Sequence, residues 1–280
     1  MNESEYELTI QRILVALDAS PHSLSALEAA VELAASFRAE LLGLFVEDIN
    51  LLRLAELPFA QEVGRFSGTL RRLDTRHVER QLHAQAVRAR QALTRIAERA
   101  QVQWSFHVAR GQIASELLTA ASDVDLVILG KAGWSGQRRL GSTARSVLSQ
   151  APGPALILQQ GVRLGLPVLV LYDGSRMAQR ALAAATQLVR GSEGYLTLLL
   201  LADGPDAAQS LQMEAADWLQ ERGLKARYRW LSKADAARLC RVVQVEGGGV
   251  LVLHRDMPLL RGEALMALLN EIGCPVLLVR

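Results

Sequence analysis

Cysteine is scarce: Cys240 and Cys274 are the only two in 280 residues, and no CxxC occurs. Two thiols cannot build a disulfide framework, and the usage fits a reducing compartment. A surplus of one charge is also lacking. The 31 basic and 29 acidic residues leave a net charge of +2, too balanced for nucleic acid to be the expected partner. Apolar runs such as Leu198 to Ala202 fall far short of the roughly 20 residues needed to span a bilayer. The acidic start, Met1 to Glu7, has neither the basic residues nor the apolar stretch of a signal peptide. The expectation is a cytoplasmic protein with no membrane partner. Five histidines (His22, His77, His83, His107 and His254) show no metal-ligand spacing such as HExxH. GxSxG, GxGxxG and GxxxxGK[ST] are all missing, which removes the hydrolase elbow, the dinucleotide fingerprint and the P-loop. What remains is an ordinary globular composition, 50% hydrophobic and 21% charged, which excludes disordered and collagenous chains.

The length favours two domains of about 140 residues, and the chain repeats itself. Val15-Ala16-Leu17-Asp18-Ala19-Ser20 returns as Val170-Leu171-Tyr172-Asp173-Gly174-Ser175. The correspondence runs without gaps through Ala26-Leu27 and Ala181-Leu182, Leu33 and Leu188, and Asp48 and Asp203. Pro154 to Leu158 likewise matches Pro275 to Val279. The expected domains are 1–160 and 166–280, with the boundary in the turn-rich stretch Gln160 to Gly165.

Each half alternates short apolar runs with amphipathic stretches. In the first half the runs are Ile13–Leu17, Leu41–Val46, Val102–Val108, Val124–Leu129 and Ala155–Leu158. Most are apolar throughout, as strands of a parallel sheet buried on both faces should be. Between them, Val78, Leu82, Ala86, Ala89, Leu93, Ile96 and Ala100 form one helical stripe. Ser20 is placed to cap the first helix, with Pro21 at its first position. The pattern is β-α-β-α-β-α-β-α-β, twice. The fold class is α/β: two tandem doubly wound, Rossmann-like domains built from right-handed crossovers.

In such sheets ligands bind beyond the carboxyl ends of the strands, where the strand order reverses. The residues found there are Asp18 after the first strand, Val46, Glu47 and Asp48 after the second, and Gly130 to Thr143 after the fourth. That last loop carries Gly130, Gly133, Gly136 and Gly141, which permit positive φ and close backbone approach. It runs into a helix N-terminus, where free N–H groups and the dipole attract anions. Ser142 and Thr143 add hydroxyls, and Lys131, Arg138 and Arg139 add positive charge. The reading is a phosphate cradle.

The stretch "ILVALDAS" and the loop "GKAGWSGQRRLGSTARSVLSQAPGPALIL" resemble the universal stress protein (UspA-like) family, in two tandem copies covering nearly the whole chain. The resemblance implies five parallel strands per copy in the order 3-2-1-4-5. It implies an adenine nucleotide, ATP or AMP with magnesium, in members that carry an Asp after the first strand and a G-x2-G-x9-G-[ST] loop after the fourth. Asp18 matches the first feature, and Gly130, Gly133, Gly141 and Ser142 match the second in kind. Val46 matches a position whose backbone contacts adenine. Here only seven residues, Trp134 to Leu140, stand between Gly133 and Gly141, which would narrow a triphosphate pocket.

The second half departs further. His254 falls at Gly130, Gly262 at Gly141 and Glu263 at Ser142, putting a negative charge where phosphate would lie. No nucleotide is expected there, and Asp173 becomes a relic that caps its helix with Ser175. Cys274 reads as a small buried apolar residue. Residues 49–73 hold Leu51, Leu52, Leu54, Leu57, Phe59, Val63 and Phe66, a long insertion. It would pack on its own domain or on the second half, fold over the cleft as a short helix, or offer a partner surface. The expected function is a regulatory or protective stress protein whose N-terminal half binds the nucleotide, hydrolysing it slowly at most. The alternative is an interaction module with both sites degenerate. In either case the halves would form an intrachain pseudo-dimer, resembling the homodimers of single-domain members and open to further homodimerisation.

Overall fold

The computed structural model describes residues 9–63, 68–133, 139–189, 196–232, 235–257 and 262–280. The first half runs β1 (Arg12–Ala16), α1 (Pro21–Phe37), β2 (Glu40–Asp48), α2 (Ile49–Glu56), β3 (Gln61–Val63), β4 (Leu70–Arg72), α3 (Thr75–Arg99), β5 (Trp104–Gly111), α4 (Ile113–Ala121), β6 (Leu126–Gly130), α5 (Ser142–Gln150) and β7 (Ala155–Leu158). The second runs β8 (Val168–Tyr172), α6 (Arg176–Val189), β9 (Leu196–Leu201), α7 (Pro205–Gln220), β10 (Ala226–Leu231), α8 (Ala236–Val245), β11 (Val250–His254), α9 (Glu263–Glu271) and β12 (Val276–Val279).

The apolar runs become strands because both of their faces are covered. Ile13 and Val15 enter one core while Leu14 enters the other. In β8, Val168, Val170 and Tyr172 face the first core, and Leu169 and Leu171 the second. That alternation is the two-residue period of a pleated strand. Helices α1, α2, α3, α6 and α7 close the first core, and α4, α5, α8 and α9 close the second. Each fully buried Leu, Ile or Val on these strands contributes about 1.5–3 kcal/mol of transfer free energy.

Ten strands form one sheet, in the order β10-β9-β8-β11-β12-β7-β6-β1-β2-β5. Each half contributes five parallel strands in the order 3-2-1-4-5, and the halves meet where β7 pairs with β12 antiparallel, through Ala155–Ile157 and Val276–Leu278. The two halves are therefore related by a quasi-two-fold axis through that seam. The strand-order reversal in the first half lies between β1 and β6, which pair through Ile13–Leu126 and Val15–Ile128.

The helix signals act as the sequence indicates. Ser20 Oγ accepts from Ser23 N (3.2 Å), and Pro21 opens α1. Helix α1 ends at Arg38 in the left-handed conformation, whose N–H reaches the carbonyls of Ala34 and Ala35. On α3, Val78, Leu82, Ala86, Ala89 and Leu93 are buried, as the stripe predicts. Ile96 is half-buried and Ala97 takes its place in the core, while Ala100 lies just past the helix end.

The insertion at 49–73 corrects the simple repeat. It forms α2 and the β3–β4 hairpin. Leu52, Ala55, Ala60 and Leu73 anchor it in the first core. Phe59 (76% exposed), Val63 and Leu70 face outward.

Candidate functional site

The carboxyl ends of β1, β2 and β6 open onto a cleft of about 370 Å³, within the roughly 300–1,000 Å³ of small-molecule sites. One wall is apolar: Leu44 and Val46 of β2 face Ile113 and Leu117 of α4. The other is polar, made by Asp18, the segment Gly130–Gly133 and the first turn of α5, Gly141 to Thr143.

Asp18 stands at the switch point and closes its own turn. Its Oδ1 accepts from Ser20 N (2.8 Å), and its amide approaches Ser23 Oγ (3.4 Å). Ala19 between them adopts φ +58°, a left-handed conformation that costs a non-glycine residue about 1–2 kcal/mol. The turn repeats at Asp173, whose Oδ1 accepts from Ser175 N (3.0 Å), and there glycine stands at the strained position (Gly174, φ +77°).

Val46 gains its place from strand alternation. Leu44 turns its carbonyl to β1, accepting from Leu17 N (2.8 Å). Val46 lies two residues on, so its amide and carbonyl share that side, beyond the end of β1, at the mouth of the cleft.

The loop glycines work by smallness, which corrects the expectation of positive φ: Gly130, Gly133 and Gly141 are all outside that region. A Cβ on Gly130 would stand 2.9 Å from the backbone of His22 in α1. A Cβ on Gly133 would stand 3.0 Å from Asp18 Oδ2. Gly130 thus lets α1 approach β6, and Gly133 lets the loop lie against the Asp18 carboxylate. Gly141 donates to the carbonyl of Lys131 (2.8 Å), pinching the base of the loop. It also serves as N-cap of α5 without a side-chain bond to the helix, so the first-turn N–H groups are left to face the cleft. Ser142 is exposed and Thr143 half-buried at that turn.

Of the cations expected in the cradle, Lys131 lines the cleft but its ammonium is committed elsewhere, and Arg139 does not line it. Lys131 is buried, and its Nζ donates to the carbonyls of Asn270 (2.9 Å) and Ile272 (3.3 Å) at the end of α9. The carbonyl-rich, negative end of a helix attracts an ammonium, so its charge is spent on the other half of the molecule. Burial pushes its pKa down from the usual value, with the Cys240 and Cys274 thiols opposing. Arg139 is exposed and does not line the cleft. Arg138 and Trp134 lie outside the described residues. The insertion at 49–73 contributes none of the described lining residues, so α2 does not cover the cleft. Ile113 and Leu117, which sequence reasoning passed over, form its apolar wall. Their i, i+4 spacing at the start of the helix after β5 was the available signal.

Among the described residues, buried side chains occupy the equivalent place in the second half. Gly130 ends β6 opposite Leu158, and His254 ends β11 opposite Val279. The His254 ring is 2% exposed, with Nε2 3.3 Å from Asp173 Oδ2. Met257, the counterpart of Gly133, is fully buried. Glu263 opens α9, where Ser142 opens α5. Burial alone would push the Asp173 carboxyl up; the nearby His254 ring and the hydrogen bond from Ser175 outweigh it and hold the group at about 2. Among the described residues no group of three or more His, Cys, Asp or Glu could hold a metal ion, and no helix is long and apolar enough to cross a membrane.

A three-layer, doubly wound α/β sheet with an open cleft at the strand-order switch is a small-molecule-binding architecture. The chain belongs to the universal stress protein family, whose model matches residues 9–159. Its fold is similar to a universal stress protein from Archaeoglobus fulgidus at a TM-score of 0.76 and 18% identity, covering 96% of this chain and 98% of that one. It is also similar to a functionally unknown protein from Pseudomonas aeruginosa, at a TM-score of 0.60 and 15% identity, covering 97% of this chain and 93% of that one. The cytoplasmic domain of a prokaryotic cation chloride cotransporter shares the fold at a TM-score of 0.55 and 12% identity, covering 96% of this chain and 95% of that one. No curated protein matches the chain.

Proposed function

We propose that this chain is a stress-related regulatory protein whose N-terminal half binds one adenine nucleotide, ATP or AMP, while the C-terminal half binds none. The observation that carries the reading is the two-sided cleft. Its apolar wall (Leu44, Val46, Ile113, Leu117) suits a base, and its other side presents the N–H groups of an α5 first turn that no side chain caps. The backbone of Val46 would pair with the edge of adenine, and Asp18 would orient the ribose. The amides of Ala132 and Gly133 and of Ser142 and Thr143, with the Ser142 hydroxyl, would hold phosphates, since Lys131 N and Gly141 N already donate to Leu158 O and Lys131 O. Magnesium would arrive on the phosphates, because Asp18 is the one carboxylate among the lining residues. With Asp18 Oδ1 already accepting from Ser20 N, a general base for fast hydrolysis is lacking among those residues. Any ATPase activity is slow, and the bound nucleotide acts by stabilising one shape of the loop.

A second reading is a pure interaction module. The outward Phe59, Val63 and Leu70 on the insertion favour it, since clustered exposed apolar side chains mark contact surfaces.

The test is calorimetric titration of the full chain with ATP and magnesium, beside Gly141→Glu. That variant places a carboxylate at the N-cap of α5, one position before the one that Glu263 takes in α9. Its Cβ meets only ordinary contacts, the nearest at 3.6 Å. One site per chain, lost in Gly141→Glu, is the expected result. Two sites would overturn the closure of the second half. No binding at millimolar ATP would remove the nucleotide reading and leave the interaction module.

A further inference from the structure

We propose that Asn270, in the half that has lost its own site, is the positioning residue of the N-terminal cleft: it clamps the two described ends of the Gly130–Gly141 loop, and the grip on nucleotide depends on it. The inference rests on the adenine-nucleotide reading of that cleft.

Three hydrogen bonds converge at the end of α9. Lys131, directly after β6, donates its Nζ to the carbonyls of Asn270 (2.9 Å) and Ile272 (3.3 Å). Leu140, directly before the N-cap of α5, donates its backbone amide to Asn270 Oδ1 (2.8 Å). One residue thereby accepts from both sides of the loop, its main chain from one and its side chain from the other. The bond from Gly141 N to Lys131 O (2.8 Å) closes the base between them. The α5 N–H groups begin at the next residue. Hydrogen bonds to a ligand hold only within about 2.7–3.2 Å, so a displacement of Leu140 is felt directly in the cradle.

The quasi-two-fold axis separates this clamp from ordinary interface packing. Gln159 and Arg280 are counterparts, each one residue past the last strand of its half. Gln159 Nε2 donates to the carbonyl of Ile272, and Arg280 Nη2 to that of Leu148 (2.7 Å), so each reaches the end of the other half's last helix. That contact is present on both sides. Among the described residues the clamp is present on one; Arg261, the counterpart of Leu140, lies outside them. The counterpart of Lys131 is Arg255, which is exposed, whereas Lys131 is buried. The counterpart of Asn270 is Ser149, also exposed, whose hydroxyl turns back to Arg145 O (2.9 Å) within its own helix. Among the described residues, the added bonds therefore serve the loop whose cleft is open. An allosteric connection between the halves follows, since anything that shifts the end of α9 shifts the cradle, and the reverse holds by linkage.

The test uses the full chain and two variants. Asn270→Leu keeps the volume and removes the side-chain acceptor; Asn270→Asp keeps an acceptor. Two readouts are taken: titration with ATP and magnesium, and amide hydrogen exchange with and without ATP. One lost hydrogen bond corresponds to about a tenfold change. Asn270→Leu is expected to weaken ATP about tenfold and to speed exchange of the Leu140 amide and the first turn of α5 by a similar factor. Asn270→Asp is expected to behave as the parent. ATP is expected to slow exchange at residues 270–272, in the half where it does not bind, and this protection is lost in Asn270→Leu. A merely structural role would not produce that protection. Equal ATP affinity in Asn270→Leu, or unchanged exchange at Leu140 and α5, overturns the clamp. If the parent chain binds no ATP, the nucleotide reading fails on its own account, and exchange in the free variants alone decides whether the clamp holds.

Discussion

Replacing Gly130 with alanine tests why the loop after β6 is built from glycine. The new Cβ would lie 2.9 Å from both the carbonyl carbon and the Cβ of His22, and 3.0 Å from its oxygen. Carbon atoms rest about 3.5–4.0 Å apart, so the contact is short by more than half an ångström. The opposing atoms cannot swing aside. His22 lies in the first turn of α1, which Ser20 caps, and its Nδ1 accepts from Gln160 N (3.1 Å). Either α1 or β6 must shift, and overpacking of this kind costs about 1–3 kcal/mol. For a chain of this size that lowers Tm by roughly 2–4 °C per kcal/mol. Gly141→Ala is the control from the same loop. Its Cβ would meet Lys131 O at 3.6 Å and Ala132 Cα at 3.7 Å, and its φ of −65° suits any residue. Its cost stays below about 1 kcal/mol, because the poorer N-cap and the lower entropy of the unfolded chain oppose each other. Scanning calorimetry of both variants beside the parent gives the comparison. Equal melting of Gly130→Ala and the parent, or a larger loss in Gly141→Ala, would refute the close-approach explanation.

Two further outcomes follow from the turns. Asp173 is held at about 2 against 3.8 in the unfolded chain. A depressed carboxyl stabilises the fold above its unfolded pKa, and that contribution, about 2 kcal/mol at 1.36 kcal/mol per unit, is lost as pH falls from about 4 through 2. Asp173→Asn should therefore be less stable at pH 6 and show a flatter acid limb in urea unfolding; a parent-like stability and slope would contradict the assignment. Ser20→Ala removes the cap of α1 and should cost about 1 kcal/mol, read as a lower urea midpoint, and an unchanged midpoint would show that the cap contributes nothing.

The fold was legible where residues are forced by local geometry. Runs such as Ile13–Leu17 and Leu198–Leu201 are apolar throughout because two cores claim alternate side chains, and that demand is written in the run itself. Strand ends drifted by a few residues, as at β5, which begins at Trp104 and continues to Gly111, because edge residues need no apolar signature. The β3–β4 hairpin escaped notice since its three-residue strands carry no periodicity. In the site, Asp18, Val46, Gly130, Gly133, Gly141, Ser142 and Thr143 do come together. Lys131 misled because its surroundings in sequence suggest phosphate, while its actual acceptors lie 139 and 141 positions away. The glycines were visible, but composition does not distinguish a positive φ from a close approach; Gly130 and Gly133 are the second kind.

The antiparallel seam between β7 and β12 carries a further consequence. A half standing alone would present one of those strands as an open, apolar edge, a template for indiscriminate pairing. Fusion answers this permanently. The chain from Gln159 to Pro167 tethers each half to its mate at an effective concentration on the order of millimolar, so docking no longer depends on how much protein the cell makes. The two free edges of the sheet are β5 and β10, and Arg110, Arg227 and Arg229 stand on them. With a partner guaranteed, the halves are released from having to stay alike: one can keep a cleft while the other becomes a fixed part of its frame.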